Sequence, residues 1–188
     1  MTWLILGIAI WSLMHFIPSL LPDFRSRIKQ SLGDKGYQAI FSLGIVGSLV
    51  LMVLGWRSGL QWNIYEPADW SRPIGSLLVL VAFLLFGLAH AKTNVKRFIR
   101  HPQLTGMIVW ATGHLVVNGD NLSVTLFGGL GLWAFIEIIL INRKEGAWIK
   151  PASVPLGSEL RPLLIGLAIF AVFFIAHPYL FGVSPIPQ

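Results

Sequence analysis

Long apolar blocks separated by clusters of charge limit how this chain can fold more than any other feature. Only 12% of the residues are charged and 55% are hydrophobic, whereas soluble domains carry about 25% charged residues. Each block is close to the roughly 20 residues that cross a bilayer as a helix. The pattern predicts an all-α polytopic membrane protein, a six-transmembrane-helix bundle forming a single integral domain over residues 1–188. The predicted spans are about 2–22, 38–56, 74–91, 102–118, 122–142 and 162–181.

The basic residues between the blocks predict how the chain is oriented in the membrane. The first, third and fifth loops carry most of them, and only Arg57 and Arg72 of the 14 lysines and arginines fall in an even loop. Positive charge accumulates on the cytoplasmic side of membrane proteins. We therefore expect a multi-pass protein of the bacterial inner (cell) membrane with both termini in the periplasm.

Composition also limits the partners and cofactors. The net charge of +6 follows from the orientation and implies no nucleic-acid partner; the lipid bilayer, with anionic headgroups opposite the basic loops, is the expected one. The absence of cysteine excludes thiolate-ligated haem, c-type haem attachment and iron–sulfur clusters held by cysteine. The sequence has neither a phosphate-binding glycine loop nor a G-x-S-x-G motif, so nothing in it indicates nucleotide use or hydrolysis.

Two histidines lie well inside the predicted spans. His15, in the first span, is about seven residues, or roughly 10 Å, from the cytoplasmic end. His114, in the fourth, is about twelve residues, or roughly 18 Å, from the same side. Ionisable groups inside a membrane are functional candidates by default because burying them is costly. If the two helices pack together, these side chains can face each other across a haem.

A third histidine, His101, is expected at the cytoplasmic rim. Thirteen residues at 100° each place His101 and His114 on nearly opposite sides of the fourth helix, so one small site does not use both directly. Pro102 suits the first turn of a helix, which puts Arg100 and His101 at the rim with Arg97. His101 is then either an interfacial anchor or an anion contact, for a haem propionate or a substrate headgroup.

Glu137 lies about five residues from the cytoplasmic end of the fifth span and should be protonated or paired there. Arg100, His101 or His90 is its expected partner, and both a structural ion pair and a functional proton site are open. His90 and His177 end their spans and are expected at the interface.

The turn after the fourth span holds further candidates. Asp120 and Asn121 are expected to cap the fifth helix, since Asx residues at a helix start accept hydrogen bonds from free N–H groups. A role for them at the mouth of a pocket beside His114 is the alternative, and Asn118 in the same turn is a further site candidate.

Two buried imidazoles on different helices favour haem among the metal cofactors. Haem iron accepts axial imidazoles, and helix bundles commonly hold cofactors between facing helices. A zinc site would require three or four ligands at closer spacing. Two hydrogen-bonded structural histidines are the alternative that spacing leaves open.

The motifs H-x2-P from His15, L-G-x2-G-Y from Leu32, RHPQ from Arg100, W-x3-H ending at His114 and N-G-D from Asn118 occur in this order. With them, the chain resembles the NnrU family of bacterial membrane proteins from the first span to the end of the fifth. That family is named for its association with nitric oxide and nitrite reduction genes. The resemblance therefore implies a role linked to denitrification.

NnrU proteins are in turn similar to plant zeta-carotene isomerase, a membrane enzyme that carries haem b and needs reduced iron to isomerise a cis double bond. Its axial histidines correspond by motif to His15 and His114, and its RHPQ histidine to His101. The resemblance implies metal binding by the first two, with Arg97, Arg100 or His101 near the propionates. It also implies a haem-dependent isomerase acting on an apolar polyene or another small molecule.

Two alternatives remain open. The RHP start of the fourth span resembles isoprenylcysteine carboxyl methyltransferases, although their paired acidic residues are replaced here by Glu145 alone. The other alternative is a non-catalytic membrane factor that assists assembly of denitrification enzymes.

Overall fold

The computed structural model describes residues 1–185, and its regular structure there is entirely helical, which confirms the all-α prediction. Each predicted apolar block corresponds to one α-helix. A single 3-10 turn, Asn94–Arg97, precedes the fourth helix. The α-helices are α1 (Thr2–Leu20), α2 (Pro22–Ser58), α3 (Ser71–Ala89), α4 (Pro102–Val117), α5 (Asn121–Glu145) and α6 (Gly157–Phe181).

Five of these helices, all except α4, are long and apolar enough to cross a membrane. α4 has 16 residues, or about 24 Å of helix against about 30 Å of hydrocarbon. The structure therefore supports a multi-pass membrane protein with at least these five candidate spans.

α2 consists of two helical segments joined at Gly33, whose φ of 74° and ψ of 171° interrupt the helix. A positive φ is readily adopted by glycine because it has no Cβ. The first segment, residues 22–32, was expected to be a loop. It is helical because Phe24, Ile28 and Leu32 recur every four residues beside basic side chains, the pattern of a helix that lies in the membrane interface.

The helices pack in a chain of neighbours. α1 contacts α2 and α5, α4 contacts α5 and α3, and α3 also contacts α6, so α5 lies between α1 and α4. A small buried cluster contains Leu4, Met52, Leu122 and Leu130, with Trp11, Trp56 and Trp110 among the side chains packed against it. Many large apolar side chains on the outside of the bundle are exposed, as expected for surfaces that face lipid.

The two ends of the bundle differ in chemistry. At the end that carries most basic residues, here called the basic end, Arg100 before α4 pairs with Glu145 at the end of α5, 3.0 Å away. At the opposite end, here called the turn end, the α2–α3 loop meets the α4–α5 turn, and the Ile64 N–H donates to the carbonyl of Gly119 over 2.8 Å. α4 therefore runs from one end of the bundle to the other.

Candidate functional site

His15 lies in an aromatic environment formed by α1, α2 and α5. Its Nδ1 is 2.8 Å from the carbonyl oxygen of Trp11, one helical turn earlier. Its ring centroid is 4.5 Å from Trp11, 4.7 Å from Trp133 and 5.5 Å from Phe41. Nε2 forms no hydrogen bond with residues 1–185, so one ring nitrogen is held by the helix and the other is available.

His114 has the same local arrangement on α4. Its Nδ1 is 2.9 Å from the carbonyl oxygen of Trp110, again one turn earlier. The ring stacks on Phe127 of α5 with centroids 4.3 Å apart and lies 4.7 Å from the Trp110 ring. Its Nε2 also has no hydrogen-bond partner in the described part of the chain.

The contacts that His15 and His114 make with α5 show how the two histidines are placed relative to each other. Their contact residues on α5, Phe127 and Trp133, are six positions apart, which is about 9 Å along the helix axis and about 120° around it. Trp11 and Trp110, the hydrogen-bond partners of the histidines, both pack against the buried cluster that contains Leu130. The histidines thus border one aromatic cluster from two sides, and α1 and α4 meet mainly through α5.

Each imidazole taken singly has the donor chemistry of a haem ligand, but the expected direct packing of α1 against α4 is not found, because α5 lies between them. An imidazole whose Nδ1–H is fixed by a carbonyl presents Nε2 to a metal in a defined tautomer. Among residues 1–185, no three or more His, Asp or Glu side chains are grouped as a metal site built from protein ligands alone would require. Haem supplies four nitrogens of its own and needs at most two from the protein.

Two surface grooves lie elsewhere on the molecule. One runs along the outside of α6 beside Arg161 and Leu164, and the other along the first segment of α2 beside Phe24 and Ile28. Neither is lined by His15 or His114, so the indication for a cofactor rests on the imidazoles and their surroundings.

The rim residues are engaged with the end of α5. The Nε2 of His101 lies 2.9 Å from the Oδ1 of Asn142. Arg100 donates to the carboxylate of Glu145 and to a backbone carbonyl next to it. Arg97 differs, because its Nε is buried and has no hydrogen-bond partner within residues 1–185. Thirteen residues of α4, or about 20 Å, separate His101 from His114.

The predicted partners of Glu137 were wrong. Its carboxylate accepts a hydrogen bond of 3.1 Å from the hydroxyl of Ser19 on α1. Arg100 and His101 instead bond to the last turns of α5, and His90 is exposed. The reason is helical phase, since Glu137 faces α1 whereas the residues that meet α4 lie on another side of α5.

The predicted capping role of Asp120 is confirmed. Its Oδ1 accepts from the N–H groups of Leu122 and Ser123 at 3.0 and 2.9 Å, and its Oδ2 accepts from the Ser123 hydroxyl at 2.6 Å. Asn118 donates from Nδ2 to the carbonyl of His114 over 2.9 Å. Both side chains therefore serve the α4–α5 turn.

Asn121 does not cap α5 as expected but, together with Tyr65, holds this turn to the α2–α3 loop, a role that the sequence pattern did not indicate for either residue. Asn121 accepts from the N–H of Trp62 over 2.9 Å and donates to the carbonyl of Leu60. The Tyr65 hydroxyl donates to the carbonyls of Leu115 and Asn118. The Trp- and Tyr-rich composition of the loop pointed only to the interface, because its partners are about 60 residues away in sequence.

Comparison with known proteins establishes the family. A family model described as NnrU protein matches residues 3–185. The chain belongs to the NnrU family. No curated protein and no solved structure matches the chain. The matched region covers nearly the whole chain and therefore includes both histidines and the rim residues.

Proposed function

We propose that this NnrU-family protein binds haem b in the membrane and that His15 and His114 are candidate iron ligands. Because α5 lies between α1 and α4 in this structure, ligation of one iron by both histidines requires these two helices to move closer together. The observation that carries the proposal is the shared geometry of the two imidazoles, each with Nδ1 on a carbonyl of its own helix and Nε2 without a partner. Structural histidines gain most from using both nitrogens, whereas metal ligands keep one free.

The surroundings support an apolar macrocycle. Trp11, Trp110, Phe127 and Trp133 provide flat apolar faces around the two histidines. Arg97 is the candidate with a free donor for a propionate, because its buried Nε has no hydrogen-bond partner in the described residues. Arg100 and His101 would have to exchange their present partners on α5 for such a contact. When bound, haem supplies a redox-active iron whose coordination can change with its oxidation state.

The activity that follows is a haem-dependent reaction on an apolar molecule reached from the membrane. The resemblance to zeta-carotene isomerase suggests cis–trans isomerisation of a polyene, and the family's association suggests a nitric-oxide-linked role in denitrification. In both cases the aromatic side chains around the histidines provide apolar faces that orient an apolar ligand.

The test is an absorption spectrum of the detergent-purified protein, expressed with added haem, before and after reduction with dithionite. We expect sharp α and β bands on reduction. His15→Ala and His114→Ala should each abolish the six-coordinate spectrum. His90→Ala is the matched control and should leave it unchanged, because His90 is exposed at the end of α3. His177 is a poorer control, since it interacts electrostatically with His114.

Two outcomes would overturn the proposal. An unchanged six-coordinate spectrum in His114→Ala would remove that residue from the iron. A wild-type protein with intact helical circular dichroism and no haem absorbance would remove the cofactor and favour an assembly role.

We also propose that all six helices cross the membrane, in a bacterial cell membrane with the basic end in the cytoplasm. Two observations support the crossing of α4: it is packed between α3 and α5, and its ends lie at opposite ends of the bundle. The distribution of basic residues supports the orientation.

A further inference from the structure

Among the described residues, the carboxyl group of Glu137 is buried in the apolar stretch of α5 without an ion-pair partner, and the Lys144 ammonium acts on it only through space. The residue is 6% exposed. One oxygen accepts from Ser19, and the other, Oε2, is buried with no hydrogen-bond partner among residues 1–185. A carboxyl left in this state needs an explanation, because unpaired buried charge is among the costliest features of a membrane protein.

The charged groups near Glu137 are few. Lys144 lies seven residues later on the same helix, and its ammonium donates to the backbone carbonyl of Pro18 over 2.7 Å. Within the described residues, no salt bridge involves Glu137. On α1, the nearest titratable side chain along the helix is His15, one turn before Ser19, and on α4 His101 is bonded to Asn142.

Two indole N–H groups in the same seam are also without acceptors. Trp133 lies one turn before Glu137 on α5, and Trp11 lies on the facing side of α1, with its ring 5.4 Å from that of Trp133. The Nε1 atoms of both are buried and unpaired in the part of the chain described here. An indole can only donate, and neither group is hydrogen-bonded to a neighbouring side chain among the described residues, although the His15 ring lies against both indoles.

A neutral carboxyl and water together satisfy all three groups. If Oε2 carries a proton, it too is a donor in need of an acceptor oxygen. Water accepts from each of these donors and bridges polar groups in buried sites. Ser19 is next to Leu20, the last residue of α1, so the carboxyl is close to the basic end and a chain of a few water molecules would span the distance.

We propose that Glu137 is a proton-binding site within the membrane, connected to the basic end by water in the seam between α1 and α5. The seam is defined by Trp11 and Ser19 on α1 and by Trp133 and Glu137 on α5. The seam shares Trp11 and Trp133 with the proposed haem surroundings. Its readout is a carboxylic acid band and not haem absorbance, so the two proposals can fail independently.

The experiment is infrared spectroscopy of the full chain in lipid at neutral pH, in H2O and then in D2O. Neutral pH is far above the usual glutamate pKa of about 4.3. The wild type should nevertheless show the C=O stretch of a protonated carboxylic acid at this pH. Glu137→Gln should abolish that band. Glu145→Gln is the matched control and should leave it, because Glu145 is an exposed glutamate already paired with Arg100.

The water connection is tested in the same spectra. The band should shift on transfer to D2O, and Trp133→Phe, which removes one donor while keeping an aromatic ring, should change its frequency without removing it. No carboxylic acid band, or one that survives in Glu137→Gln, would overturn the proton site. A band that never shifts in D2O would overturn the water path.

Discussion

At the scale of single residues, Asp120 is the clearest case of a polar side chain whose hydrogen bonds are all local. It is 7% exposed and occupies the N-cap of α5. Asp120→Ala should remove three hydrogen bonds and destabilise the protein by about 1–2 kcal/mol. The measurement is thermal unfolding in detergent, followed by circular dichroism. Asp69→Ala, in the exposed part of the α2–α3 loop, should have no effect, and equal melting temperatures for both variants would contradict the capping role.

The half-buried histidines His15 and His114 and the buried Glu137 show where residue-level reasoning succeeds and where it fails. Their sequence positions within apolar blocks were enough to select them as candidates. Their partners were not predictable, because a partner depends on which side of α5 each neighbouring helix occupies. Glu137 therefore met Ser19 and not a basic residue at the rim.

At the scale of elements, the α2–α3 loop is held to the α4–α5 turn through Tyr65. Its hydroxyl donates to two carbonyls at the end of α4, and the N–H of Tyr65 donates to the carbonyl of Gly119 over 3.1 Å. A Cβ at Gly119 would collide with the carbonyl of Tyr65, so the close approach of loop and turn requires glycine there. The loop and turn thus form one unit at the turn end.

Tyr65→Phe should weaken this unit. We expect the free energy of unfolding to fall by about 1 kcal/mol at neutral pH, because the hydrogen bonds of the hydroxyl are removed and the ring is kept. Burial, and to a lesser extent the charge of Asp120, raises the pKa of the Tyr65 phenol above its usual 10.0.

The raised pKa gives the same prediction a pH dependence. The folded state holds the phenol proton of Tyr65 more tightly than the unfolded state does. The contribution of this hydroxyl to the free energy of unfolding is therefore complete below about pH 10 and is lost as the pH rises through the raised pKa. Melting temperatures measured across that range should fall more steeply in the wild type than in Tyr65→Phe. Tyr179→Phe is the control, since Tyr179 is 88% exposed, and a parallel fall in all three proteins would contradict the assignment.

At the scale of the whole molecule, the topology depends on whether the short helix α4 crosses the membrane. If it does, the α3–α4 and α5–α6 connections lie on the same side, and the α2–α3 loop lies on the other. The chain has no cysteine, so single cysteines placed at Lys92, Lys150 and Gln61, which are all exposed, report this directly.

We expect a membrane-impermeant maleimide to label Gln61→Cys in intact cells, and Lys92→Cys and Lys150→Cys only after the membrane is opened. Labelling of Lys92→Cys and Lys150→Cys from opposite sides would show that α4 does not cross. Labelling of both in intact cells would reverse the orientation and contradict the positive-inside argument.

The sequence by itself determined the helical class, the number and position of the apolar segments, the basic end and the histidines inside the segments. These features depend on the composition of each segment and on the residues next to it, because the apolar length and flanking charge of a segment determine how it inserts into a bilayer. The cap of α5 was also local and therefore predictable.

The tertiary structure decided what no local pattern contains. It placed α5 between His15 and His114 and turned Glu137 toward α1. It also joined Tyr65 to Asn118 and Asn121 to Trp62, pairs that are more than 50 residues apart in sequence. Helix order and rotation are set by side-chain packing between segments far apart in sequence, where hydrophobicity alone does not distinguish one face from another. For that reason the candidate ligands came from the sequence, whereas their shared aromatic cluster emerged only from the fold.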